Sequence, residues 1–316
     1  KVYYNSEINN YDSLILNNIS LSEENANKSN YGNDFSDIAY QFYLIDDYDN
    51  MQKYLDMSIK VNPTREQFIE YFTTSSKASF YLDSDFTNDD YFRKYQENFD
   101  FFSNNFESNY EVLYYFAEHL YLKFLSYRDK RSRDNYIKYG GAEVSQTNEQ
   151  IQKDIKDLER IISYYSESIN LKNDFSPSYA NRALTYTDLL SYQVQDEFLY
   201  NEVFNKAISD YYKALDYYEK SYDNFINEES IPYFISMLYA ENENYEMQIN
   251  ELKKSIQLYE QNNKEVYNRI YDRLALASYY SESFDDAVKY SNIAIPNAEN
   301  DTLEAYLHYV IGNSLV

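Results

Sequence analysis

Residues 35–63 read FSDIAYQFYLIDDYDNMQKYLDMSIKVNP, and the spacing of their apolar side chains decides the architecture. Phe35, Ile38, Ala39 and Phe42 recur at the i, i+3, i+4, i+7 interval of one helical face. Asp46-Asp47 then make a polar turn. Tyr48 opens a second helix whose inner face carries Met51, Leu55, Ser58 and Ile59. Pro63 closes the pair, because it has no N–H for the helical ladder and its ring clashes with the preceding turn. The spacing predicts a helical hairpin whose first helix carries a small residue, Ala39, on its apolar face.

The same text recurs down the chain. ANRALTY (180–186) is followed by FNKAISDYYKALDYYEK (204–220), then by YEMQINELKKSIQLY (245–259) and FDDAVKYSNIAIP (284–296). Small residues fall at the crossing position of successive first helices: Ala39, Ala78, Ala117, Ala183, Ser236, Ala275 and Gly312, in steps of 39, 39, 66, 53, 39 and 37. This pattern resembles the tetratricopeptide (TPR) repeat, whose units are usually about 34 residues long. The resemblance covers residues 31–316 and is strongest at 33–63 and 177–297. It implies an all-α, right-handed α-solenoid of about six TPR-like hairpins, with units near 39 residues and a C-terminal capping helix. The hairpins are expected over 33–62, 64–103, 107–171, 177–222, 229–261 and 264–297, with the cap over 301–315. Residues 1–30 read as a polar N-terminal extension, and 31–316 as one solenoid. The 53-residue step predicts helices lengthened through Leu189–Tyr200. The 66-residue step, containing Gly140-Gly141 among polar residues, predicts a basic loop at 127–148.

Composition narrows the chemistry. Of 316 residues only 4 are Gly, which leaves no phosphate-cradling loop or dinucleotide fingerprint. There is no Cys, hence no disulfide, thiolate nucleophile or cysteine zinc site. The two histidines, His119 and His308, are far apart, so neither a metal site nor any other cofactor is expected. A net charge of −25 argues against nucleic acid, whose phosphates need a basic face. With 41 Tyr and 19 Phe the core is aromatic. No apolar run reaches the length of a membrane span. Lys1 at the start leaves a cleaved leader and a trimmed sequence equally open. An acidic, cysteine-free chain suits periplasm, cell surface or cytoplasm.

Two constellations are candidates for binding. Lys123, Arg128, Lys130, Arg131, Arg133 and Lys138 fall within 16 residues, the most concentrated positive charge in the chain. They suit an acidic partner, or the acidic end of a second copy. On the first helices, Asn181 and Arg182 precede Ala183, and Arg269 and Arg273 share one helical face before Ala275. The TPR resemblance implies that such residues line a concave groove, where some members clamp a peptide's terminal carboxylate with Lys, Asn and Arg. The acidic pairs Asp46-Asp47, Asp89-Asp90, Glu228-Glu229 and Asp285-Asp286 sit at turns or helix starts and read as caps. The expected function is a non-catalytic protein- or peptide-binding scaffold. The alternative is a peptide-sensing regulator whose superhelix closes on its ligand.

Overall fold

The computed structural model describes residues 32–61, 63–79, 89–138, 146–193, 196–219 and 226–315. Among them are thirteen α-helices and no strand. The chain divides into two compact units, the first ending at Asn173 and the second beginning at Asp174. The first holds α1 (Gly32–Leu44), α2 (Tyr48–Val61), α3 (Arg65–Ser79), α4 (Asp89–Asn105), α5 (Tyr110–Lys138) and α6 (Asn148–Leu171). The second holds α7 (Ser176–Leu190), α8 (Glu197–Asp216), α9 (Ile231–Glu241), α10 (Tyr245–Gln261), α11 (Asn268–Tyr280), α12 (Phe284–Ala294) and α13 (Asp301–Ser314). The expected polar extension, 1–30, lies outside the described residues.

Within each unit consecutive helices pair as hairpins, and each hairpin packs on its neighbours in the manner of an α-solenoid. First helices also meet first helices: α1 with α3, α3 with α5, and α11 with α13. Ala39, Ala117, Ala183, Ser236 and Ala275 are all completely buried. A methyl or hydroxymethyl group lets the backbones approach where a larger side chain would overpack the crossing. Ala78 has its side chain outside the described residues. Gly312 departs from the expectation, since a Cβ there would meet nothing within 4 Å.

Aromatic rings fill the first unit. Phe68 stacks on Phe101 with centroids 5.4 Å apart, Tyr95 meets Phe72 edge-on at 4.9 Å, and Phe99 lies flat on Phe116 at 3.6 Å. Serines hold the hairpins from within. Ser168 on α6 donates to the Tyr110 carbonyl at the start of α5, and Ser255 on α10 donates to the Glu229 carbonyl before α9.

The turns inside three hairpins share one geometry. Asp46, Glu243 and Glu282 have φ of 58°, 53° and 59°, in the left-handed region. In each, the next amide reaches back five residues: Asp47 to the Phe42 carbonyl, Asn244 to Tyr239, and Ser283 to Ser278. The left-handed residue itself bonds three back, completing a Schellman cap. Asn263, φ 53°, does the same at the end of α10.

Two sequence expectations are corrected. The stretch expected as a basic loop, 127–148, is helical as far as Lys138, making α5 29 residues long, and α6 begins at Asn148. Polarity does not break a helix; Arg and Lys are good helix formers, and no Gly or Pro lies between Tyr127 and Gly140. Residues 139–145 lie outside the described residues. The surplus of the 66-residue step is therefore mostly helix. Leu189–Tyr200, expected as helical extension, contains the end of α7, a turn at 191–193 and the start of α8. Only part of that step's extra length is helix: α8 has 20 residues against 17 in the equivalent α10, and the chain between α8 and α9 runs from 217 to 230, longer than the 262–267 link after α10.

Candidate functional site

Cations and aromatic rings meet in the first unit, in a cleft of about 370 Å³ between the second helices α4 and α6, with α5 behind. Its floor is apolar and aromatic: Phe92 and Tyr95 from α4, Phe116, Leu120 and Phe124 from α5. Its rim carries Arg93, Lys123, Lys153 and Arg160, with Asp157 the carboxylate among the lining side chains, and Arg93 also lies 3.9 Å from Glu97, one turn along α4. Lys153, Asp157 and Arg160 stand at i, i+4 and i+7 along α6, so they present one stripe. The Lys123 ammonium sits over the Phe92 ring, 4.3 Å from its centroid, a cation–π contact that fixes the charge above the floor. Arg160 donates to Gln96 Oε1 at 3.0 Å across the cleft. Partial burial, more than any neighbouring charge, raises the Asp157 carboxyl above its ordinary pKa.

Beneath the floor His119 is completely buried and stacked on Tyr95 at 4.0 Å. Burial pushes its pKa down to about 3, against a smaller opposite effect of the Tyr115 carbonyl, so it is a neutral core imidazole. A second cleft, about 670 Å³, repeats the arrangement one hairpin earlier, between α2 and α4 with α3 behind. There Lys53, Lys60 and Lys94 face two carboxylates, Asp56 and Glu97, and Lys94 is paired with Asp56.

The predicted basic cluster separates into distinct roles. Lys123 enters the cleft. Arg128 packs over the Phe124 ring, 5.7 Å from its centroid. Arg131 makes a two-pronged pair with Asp154 of α6, at 3.2 and 2.6 Å, which ties the two long helices together. Lys130, Arg133 and Lys138 are exposed along the far end of α5.

The clamp-like residues of the second unit are not assembled as the resemblance implies. Asn181 is buried at 2% exposure. Arg182 is held by Asp210 of α8 through Nε at 2.6 Å and Nη2 at 2.9 Å. Both carboxylate oxygens are thus occupied within one hairpin, and neither Asn181 nor Arg182 lies open to a ligand. Arg269 pairs with Glu299 on the surface, while Arg273, one turn along, is half-buried. Beside them Asp272 is buried at 4% exposure with no hydrogen bond to its Oδ1. Its pKa is pushed up to about 6 by burial first and by Glu299 second, against Arg273 and Arg269.

Sequence reasoning found Lys123 but missed Arg93, Lys153 and Arg160, which lie 30, 30 and 37 residues from it in the chain. Only the stripe on α6 left a local trace. Among the described residues no group of three or more metal-ligating side chains occurs, and no helix is long and apolar enough to cross a membrane.

No protein-family model matches the sequence, and no curated protein matches it at a significant level. Solved structures of similar architecture include several TPR proteins. A thermophilic TPR protein of Thermus thermophilus shares 13% identity over 90% of this chain and 98% of its own, with a TM-score of 0.37. A TPR protein from Parabacteroides merdae shares 12% over 90% and 99%, with a TM-score of 0.42. The TPR2AB domain of yeast Sti1, in a complex with a pHSP90, shares 11% over 90% and 98%, at 0.31. The repeated hairpins, with small residues buried at their crossings and first helix packed on first helix, make this chain a TPR-like helical-repeat protein.

Proposed function

We propose that the chain is a non-catalytic protein- or peptide-binding scaffold, and that the cleft over α5 takes an acidic segment bearing an apolar or aromatic side chain. The supporting observation is the cleft itself: four cations round an aromatic floor, with Asp157 among the lining side chains and Glu97 beside Arg93 as the opposing carboxylates, in a chain of net charge −25. Such a chain repels acidic partners on average, so a local positive rim selects where one docks. The floor then contributes apolar contact to a side chain laid between α4 and α6.

The test uses a fluorescein-labelled glutamate-rich peptide containing one phenylalanine, read by anisotropy with the intact chain. Lys123→Ser/Lys153→Ser/Arg160→Ser is expected to weaken binding by about tenfold or more and to flatten its salt dependence. Asp157→Asn is expected to tighten binding, because it removes the carboxylate that lines the cleft. Equal affinity of wild-type and triple variant at low salt refutes the site. A scaffold that binds elsewhere would show undiminished binding in all three proteins.

A further inference from the structure

The second unit carries an aromatic surface that its core does not use. Tyr245, at the start of α10, stacks on Tyr280, at the end of α11, with centroids 5.2 Å apart and planes 23° from parallel. The Tyr280 and Tyr306 hydroxyls are hydrogen-bonded at 2.9 Å. Tyr306 stacks on Tyr309 of α13 at 5.9 Å, and Tyr279 meets Tyr280 edge-on at 5.7 Å. Phe284, opening α12, lies 6.3 Å from Tyr279. The rings thus form one continuous strip across four helices. Its outer members are open to solvent: Tyr280 at 50%, Phe284 at 42% and Tyr309 at 57%.

The strip is built by the repeat. Tyr245 and Phe284 stand 39 residues apart, one unit, at the first position of consecutive second helices. Because each ring leans on another, the surface is ordered before any ligand arrives, and tyrosine offers large contact area for few rotatable bonds. The neighbouring positions supply charge of one sign. Glu246 follows Tyr245, Glu282 and Asp285 flank Phe284, and Glu304 stands just ahead of Tyr306, all of them exposed. Two basic side chains approach carboxylates here: His308 lies 3.8 Å from Glu304, and Lys253 pairs with Asp286 of α12.

We infer that this tyrosine strip binds an extended segment rich in lysine or arginine, its cations lying over the ring faces and its charge answered by the flanking carboxylates. Negative ring faces attract ammonium and guanidinium groups, and the carboxylates raise their local concentration. This site is independent of the cleft over α5 and of opposite polarity. A scaffold carrying both holds two partners of opposite charge.

The experiment titrates the intact chain into a fluorescein-labelled peptide alternating lysine and serine, with a glutamate–serine peptide of the same length as counterpart. Saturable binding of the lysine peptide is expected. Tyr280→Ala/Tyr309→Ala should weaken it about tenfold or more. Tyr309→Ala alone, which removes an exposed ring, should weaken it severalfold with the far-ultraviolet dichroism unchanged. Glu282→Gln/Asp285→Asn should weaken it at low salt and much less at high salt. The Lys123/Lys153/Arg160 variant should leave it unchanged. If removing the rings has no effect, the attraction is diffuse and the strip is not the site. Sedimentation showing self-association that Tyr309→Ala abolishes would also overturn the inference, because the strip would then be occupied by a second copy.

Discussion

Glu243 and Glu282 hold the left-handed position of two Schellman caps one repeat apart, with φ of 53° and 59°. In that region Cβ crowds the following carbonyl, at a cost of about 1–2 kcal/mol for a residue other than glycine. Glycine removes the crowding but gives the unfolded chain more freedom, which takes back about 0.5–1 kcal/mol. Glu243→Gly and Glu282→Gly should therefore each stabilise the second unit by about 0.5–1 kcal/mol. The two sites lie in separate turns, so the double variant should approach the sum. For a unit of this size that corresponds to about 2–4 °C in Tm per kcal/mol. A carboxylate at a helix C-terminus also opposes the dipole, and Glu282→Ala separates that effect because it deletes the charge and keeps Cβ. Asp46→Gly, at φ 58°, should gain less, since Asp tolerates the left-handed region better than Glu. The assay is chemical denaturation followed by far-ultraviolet dichroism. If Glu282→Gly gains no more than Glu282→Ala, or if either glycine variant is destabilised, the conformational argument is wrong.

Two further outcomes are expected. Ala183→Leu and Ala275→Leu insert bulk at fully buried crossings and should each cost roughly 1–3 kcal/mol, measured by the same denaturation; unchanged midpoints would mean that the repeats are phased differently. Asp272, with its pKa raised to about 6, contributes stability that is complete below about pH 4 and is lost as pH rises through 6. Asp272→Asn should consequently raise stability at pH 7 by on the order of 1–3 kcal/mol and remove that part of the pH dependence, and parallel curves for variant and wild type would refute it.

The hairpins were readable because a helix that buries one stripe must repeat its apolar residues at 3.6-residue spacing, and Phe35, Ile38, Ala39 and Phe42 do so. The small residues at the crossings were readable for the same reason: Ala39, Ala183 and Ala275 are fully buried where the spacing placed them. The length of α5 was not. Residues 127–138 lack an apolar stripe, and a helix whose distal end is clamped by Arg131–Asp154 leaves no such trace. Arg182 looked available for a ligand because its neighbour in sequence, Ala183, marks an inner face. Its partner Asp210 lies 28 residues away, and only the folded hairpin brings them together. The cleft was illegible in a stronger sense. Its rim is assembled from three helices, and Arg93, Lys123 and the Lys153–Arg160 pair are each separated by about one repeat of sequence.

The long hairpin of α5 and α6 has one more consequence. The buried side chains of α5 end at Phe124, and those of α6 begin at Asp154. In the described part of the arm beyond, 125–138 and 146–153, no side chain is fully buried, and the Arg131–Asp154 ion pair ties the two helices at its base. Such a segment opens locally without the rest of the molecule following. Proteolysis is therefore directed: trypsin should enter at Lys130, Arg131 or Arg133 while the shorter hairpins resist. The proximal half of α5, with Phe116 flat on Phe99 and His119 flat on Tyr95, keeps its place after such a cut. A nick in the arm divides the backbone and leaves the stack of rings whole.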